Sequence, residues 1–128
     1  MAESPNTLEE IADAILDIIS DCDEANKADT DEEYESIAMS AIPYWQSAVH
    51  HIIGLHPDFF PLNNLLSLLN LDKAEFQQNY RDLLLDLSRT CRAYQPFSVL
   101  LQGEFGTTLD SFLEEMLSDV DTDDGMED

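Results

Sequence analysis

Apolar residues recur at helical spacing along most of the chain. Leu8, Ile11, Ile15, Ile18, Ile19 and Cys22 stand three or four residues apart behind Thr7, whose pairing with Glu10 makes a capping box. That spacing predicts a first helix over about 7–22. Thr30 with Glu33 is a second such box, opening a run through Tyr34, Ile37, Ala38, Ala41 and Ile42. Pro43 cannot donate the backbone hydrogen bond that a helix interior needs, so the second helix is expected to kink or restart there. The pattern resumes through Tyr44, Ala48, Val49, Ile52 and Ile53, with Gly54 expected to close it and Pro57 to stop it. After Pro61 a short Leu-rich helix is expected over about 62–70. Asp72 with Glu75 then opens the longest helix, about 73–94, carrying Phe76, Tyr80, Leu83, Leu84, Leu87 and Cys91, with Pro96 beyond its end. A helical turn from 97 to 102 reaches Gly103. Thr107 or Thr108 is the expected cap of a last helix bearing Leu109, Phe112, Leu113, Met116, Leu117 and Val120. No stretch alternates apolar and polar residues long enough to make a strand.

The fold class read from this pattern is all-α. One small acidic helical domain of about five helices, the second kinked at Pro43, is expected over residues 1–120, and a flexible acidic tail over 121–128. With 44% apolar residues the 128-residue chain can build a core. No apolar run approaches the 18 or so residues of a membrane span, and the start, Met1-Ala2-Glu3-Ser4-Pro5, has acid where a signal peptide has Lys or Arg. A cytoplasmic location is therefore expected. Cys22 and Cys91 lack CxxC spacing and are expected as reduced, partly buried thiols.

Charge sharpens the picture. The chain holds 28 Asp plus Glu against 5 Lys plus Arg, a formal net charge of −23. Such a domain repels nucleic acid and anionic membrane and attracts what is basic, so direct nucleic-acid binding is excluded. A compact domain of this length has a diameter of about 36 Å, and that length of duplex DNA carries about 21 charges. The acids are also unevenly placed. Residues 1–35 hold 13 acids and one base, 36–72 two acids and no base, 73–100 three acids and four bases, and 101–128 ten acids and no base. Two acidic blocks thus flank a nearly neutral middle.

Within the first block, Glu9, Asp13, Asp17 and Asp21 repeat every fourth residue and form one stripe with steps of about 6 Å. Like charges at that spacing cost a few tenths of a kcal/mol per pair. Solvation of a surface helix explains acids in general, and the macrodipole favours Glu9 and Glu10 at the N-terminus, but Asp17 and Asp21 lie too far along for that. Asp110, Glu114, Glu115 and Asp119 form a second stripe. Asp31, Glu32 and Glu35 add acids at the start of the second helix. Lys73, Arg81, Arg89 and Arg92 share one broad face of the long helix. Beside 28 acids, these bases are expected to pair internally with an acidic helix rather than to bind nucleic acid.

No catalytic constellation is expected. His50 and His51 point about 100° apart on a helix and His56 lies beyond Gly54, which argues against a shared metal site. Asp119, Asp121 and Asp123 resemble the start of a calcium loop, but Gly125 falls one place late and no Glu follows at the twelfth position. Neither a Gly-rich phosphate loop nor a nucleophile motif is present, so no cofactor, metal or enzymatic activity is expected.

The segment Asp29-Thr30-Asp31, the helical run from Ile37 to Ala41, and Ile42-Pro43-Tyr44-Trp45 with its aliphatic continuation resemble the phage overcome-classical-restriction (Ocr) proteins. Those share an Asp-Thr-Asp start, a proline turn with a tyrosine and an acidic helical C-terminus. The resemblance spans about 25 residues and the charge layout. It implies an all-helical dimer that mimics bent duplex DNA, its carboxylates standing in for phosphates, and that blocks basic DNA-binding defence enzymes such as restriction systems. The chain departs from it in its Leu-rich middle, its Gly103–Gly106 turn and its Arg-bearing helix. The carboxylates that would face the partner are Glu9, Asp13, Asp17, Asp21, Asp31, Glu32, Glu35, Asp110, Glu114, Glu115 and Asp119, and Tyr44 and Trp45 are candidates for a dimer contact or for plain core. The alternative reading is an acidic immunity or antitoxin protein that neutralises one cationic toxin or nuclease through a few dominant residues. An acidic adaptor for basic proteins is a third.

Overall fold

A computed structural model describes the backbone over residues 7–127 and the side chains through Glu115. Among the described residues five α-helices follow one another: α1 (Leu8–Asn26), α2 (Asp31–Leu55), α3 (Pro61–Leu68), α4 (Lys73–Ala93) and α5 (Glu104–Glu127). Short 3-10 turns at Pro57–Phe59, Gln95–Phe97 and Leu100–Gln102 connect them, and no strand occurs among the described residues.

The helix starts follow local chemistry. The Thr7 hydroxyl accepts from the Glu10 amide at 3.1 Å while Glu10 returns a carboxylate to the Thr7 amide at 3.2 Å. Thr30 accepts from Glu33 and Asp72 from Glu75 in the same way, satisfying amides that have no partner inside the helix.

Three boundaries differ from expectation. α2 runs unbroken through Pro43, so of the two expected outcomes, kink or restart, the restart does not occur. Pro43 lies on the exposed side of the helix, and Ala41, Trp45, Val49 and Ile52 are buried on the other, so packing of that face offsets the missing hydrogen bond. Nor does Gly54 end the helix. The break falls at His56, at φ −137° and ψ 87°, because the ring of Pro57 disfavours helical geometry in the residue before it. α5 starts at Glu104 rather than at Thr107 or Thr108, since Phe105 already belongs to its buried face. Gly106 makes that start possible. A Cβ there would lie 1.8 Å from the Leu101 carbonyl oxygen, so only glycine lets the first turn of α5 rest on the preceding 3-10 turn. At its other end α5 extends to Glu127, beyond Val120 where the apolar pattern stops.

The core is continuous. Ile11, Ile15, Ile18, Ile19 and Cys22 of α1 are buried against α2, α4 and α5. Two tyrosines spend their hydroxyls on backbone inside it: Tyr80 donates to the Ile19 carbonyl at 3.3 Å, and Tyr34 to the carbonyls of Leu68 and Leu71 at 3.2 and 2.9 Å. Those last two carbonyls belong to the end of α3 and the turn after it, where the Leu68 carbonyl also accepts from the Leu71 amide at 3.0 Å. At the opposite end Phe59, Tyr94, Phe97 and Phe105 pack ring against ring, with centroids 5.1–5.8 Å apart, and the Tyr94 hydroxyl is hydrogen-bonded to Nδ1 of His56. Both cysteines are free and fully buried, more so than expected.

Candidate functional site

α1 packs on α2 at one flank and on α5 at the other, which leaves its acidic stripe as the ridge between two grooves. Glu9, Asp13 and Asp17 are exposed along this ridge, while Asp21 is half-buried. The Asp17 carboxyl is raised above its ordinary value, first by partial burial and then by the charges of Asp13 and Asp21 on either side. The side chains at this spacing therefore do lie on one line. Seven carboxylates, Glu9, Glu10, Asp13, Asp17, Asp21, Asp23 and Glu24, ride on the 19 residues of α1, and no Lys or Arg does.

Asp21 also has a structural task. Its Oδ2 accepts from the indole Nε1 of Trp45 at 2.5 Å, tying α1 to α2. Trp45 is 7% exposed and belongs to the core, so it offers a second copy of the chain almost no surface. Tyr44 is 63% exposed and stands edge-on to that indole, with ring centroids 4.7 Å apart.

At the start of α2, Glu33 folds back to accept from the Asp29 amide at 3.0 Å, while Asp31, Glu32 and Glu35 stay exposed. On α5, Glu114 is exposed, whereas Asp110 pairs with Arg92 and Glu115 with Lys27 at 2.7 Å. The Asp119 side chain lies outside the described residues. Of the four bases on α4, only Arg92 reaches an acidic helix among the described residues. Arg81 and Arg89 pair with Asp82 and Asp86 on α4 itself, at 3.6 and 3.4 Å, which corrects the expected docking of the whole basic face. The second bridge between helices comes instead from Lys27, which also holds Asp23 at 3.1 Å.

The grooves beside the ridge differ in character. The one toward α2, about 410 Å³, runs past Asp21, Glu24, Ser36, Ser40, Ala41 and Tyr44. The one toward the start of α5, about 350 Å³, sets Glu9, Asp13 and Glu104 around Val99, Leu100 and Phe105. Sequence reasoning missed both, and missed Glu24 and Glu104 as members of the acidic surface, because each groove is closed by residues distant in the chain. Among the described residues no three His, Cys, Asp or Glu side chains gather as a metal site, and no helix is long and apolar enough to cross a membrane. Comparison of the chain with protein-family models, curated proteins and solved structures finds no match.

Proposed function

We propose that this protein is a DNA mimic that occupies the basic DNA-binding groove of a restriction-type defence enzyme or another DNA-binding protein. The observation that carries the reading is the charge density of α1. Its 19 residues span about 28 Å and carry seven carboxylates, one per about 4 Å. Of these, Glu10, Asp21 and Asp23 are also bonded within the fold, and Glu9, Asp13, Asp17 and Glu24 are exposed. A single DNA strand carries one phosphate per about 3.4 Å of axis. Asp31 and Glu32 on α2 and Glu114 on α5 add exposed carboxylates to this surface charge, while Glu35 lies on the flank of α2 toward Leu69, Leu71 and Asp72.

A rigid face of this kind makes the backbone contacts that position a protein on DNA, and it presents no base edges, so it competes without regard to sequence. The folded core holds the carboxylates in place, so binding carries little ordering cost. The test is a competition titration on the basic protein that the immobilised chain retains from a lysate. Duplex DNA should displace it, and the free protein should displace duplex DNA from the same partner, both more weakly as salt rises. A partner that holds protein and DNA together at every salt concentration refutes mimicry and leaves the adaptor reading in front.

A further inference from the structure

We propose that the groove between α1 and the middle of α2 is a receptacle for a guanidinium group, a single arginine side chain of a basic partner. The inference rests on the partner-binding reading of the acidic surface and names the side chain that its α1–α2 edge selects. Space comes from the short side chains of α2: Ser36, Ser40 and Ala41 face α1 where larger residues would close the gap, and about 410 Å³ stays open. The groove is open to solvent, with Glu24, Ser36, Ser40 and Tyr44 all exposed along it, so it has room for the end of one side chain rather than for an enclosed ligand.

Charge selects a cation for this space. Asp21 and Glu24, three residues apart, share the α1 wall. One oxygen of Asp21 is taken by the Trp45 indole, which leaves the other for a partner. Glu24 is exposed, and its carboxylate has no ion pair or hydrogen bond among the described residues. Among those residues no Lys or Arg lines the groove. Lys27 and Arg92, the bases that bridge helices, are engaged with α5.

Shape then favours arginine over lysine. Tyr44 closes one end with its ring mostly in solvent and braced edge-on by Trp45, a surface on which a planar cation stacks. A guanidinium offers five donors in a fixed fork to the two carboxylates and the two serine hydroxyls. An ammonium is a compact, strongly hydrated charge that neither forks nor stacks as a plane.

Trp45 is the one tryptophan of the chain and is hydrogen-bonded to Asp21, so its emission reports occupancy of the groove. The experiment titrates the full chain with nona-arginine and nona-lysine, which carry equal charge. Nona-arginine should shift the Trp45 emission and bind at least about threefold more tightly than nona-lysine. Tyr44→Ala should lower that preference by about two- to fivefold, the loss of one stacked cation. Ser40→Leu, which puts a larger side chain into the groove, should abolish it. Glu114→Gln, away from the groove, should weaken both peptides alike. Equal affinities for the two peptides, or a preference that Tyr44→Ala leaves intact, overturn the proposal. If circular dichroism shows Ser40→Leu unfolded, Tyr44→Ala at its exposed position decides alone. The readout involves no DNA, so failure here leaves the competition experiment standing, and failed competition leaves the peptide preference to be judged separately.

Discussion

Asp17 stands between Asp13 and Asp21 with its carboxyl raised by partial burial and by both neighbours. Below its ordinary value of 3.8 the residue is protonated in folded and unfolded chains alike. As pH rises through the higher folded value, the native state binds the proton that the unfolded chain has released, so stability falls across that window and stays lower at neutral pH. Asp17→Asn should therefore raise the melting temperature at pH 7, by roughly half a kcal/mol of stability in low salt, since two like-charge contacts are relieved on a solvent-screened face. The gain should shrink in about 0.5 M salt and vanish below pH 3.8. A melt in which the variant loses stability at pH 7 contradicts the stripe. The buried thiols act at the other end of the scale. Burial pushes Cys22 and Cys91 up from 9.0 to about 12, and Tyr34 from 10.0 to about 12. Above pH 9 the unfolded chain loses these protons and the native one keeps them, so stability is fully present below pH 9 and is lost as pH rises toward 12. Thermal melts across that range should show the fall, and a chromogenic thiol reagent should label neither cysteine until the chain unfolds. Rapid labelling of the native protein at neutral pH would count against a closed core.

Two glycines separate what an element demands from what its sequence suggests. Gly54 sits inside the last turn of α2 without a positive φ, and a Cβ there would meet nothing within 4 Å. Gly54→Ala should stabilise the protein by about 0.5–1 kcal/mol, because alanine gives up less backbone freedom on folding. Gly106→Ala should destabilise it by about 1–3 kcal/mol, since the added carbon meets backbone that cannot rotate away. Urea titrations of the two variants check both signs, and a neutral Gly106→Ala would dissolve the argument for the start of α5. The pair also marks how far the chain could be read in advance. Helix identity, the caps at Thr7, Thr30 and Asp72, and the exposed line of Glu9, Asp13 and Asp17 were legible, because spacing of three or four residues and a cap three residues ahead are local signals. Asp21 to Trp45 and Lys27 to Glu115 join residues 24 and 88 positions apart. Such partners depend on how helices pack. One acid of the first stripe thus became an internal anchor and two of the second became ion pairs, a division that periodicity does not carry.

For the whole molecule, the balance of 28 acids against 5 bases matters less than where the bases went. Lys27, Arg81, Arg89 and Arg92 are all engaged in ion pairs, and among the described residues these pairs leave Glu9, Asp13, Asp17, Glu32 and Glu114 without a cation. A face built this way should act collectively if it replaces phosphates. Each carboxylate then stands for one phosphate among many. Reversal of Asp13, Asp17 or Glu114 singly to Lys should weaken partner binding by roughly tenfold or less and make the dependence of log affinity on log salt shallower by about one ion per reversed carboxylate. Reversal of Asp13, Asp17, Glu32 and Glu114 together should abolish binding while circular dichroism still reports a helical fold, because all four side chains are exposed. An immunity protein would behave differently: affinity concentrated in one buried pair would be eliminated by a single reversal and left nearly untouched by the others. Poly-glutamate of equal charge supplies the remaining comparison. It must be ordered as it binds, whereas here the core of α1, α2, α4 and α5 has already fixed the carboxylates, so the polymer should compete with DNA far more weakly than the folded protein at any salt. Equal competition by poly-glutamate would mean that charge alone, and not its placement on α1, drives the interaction.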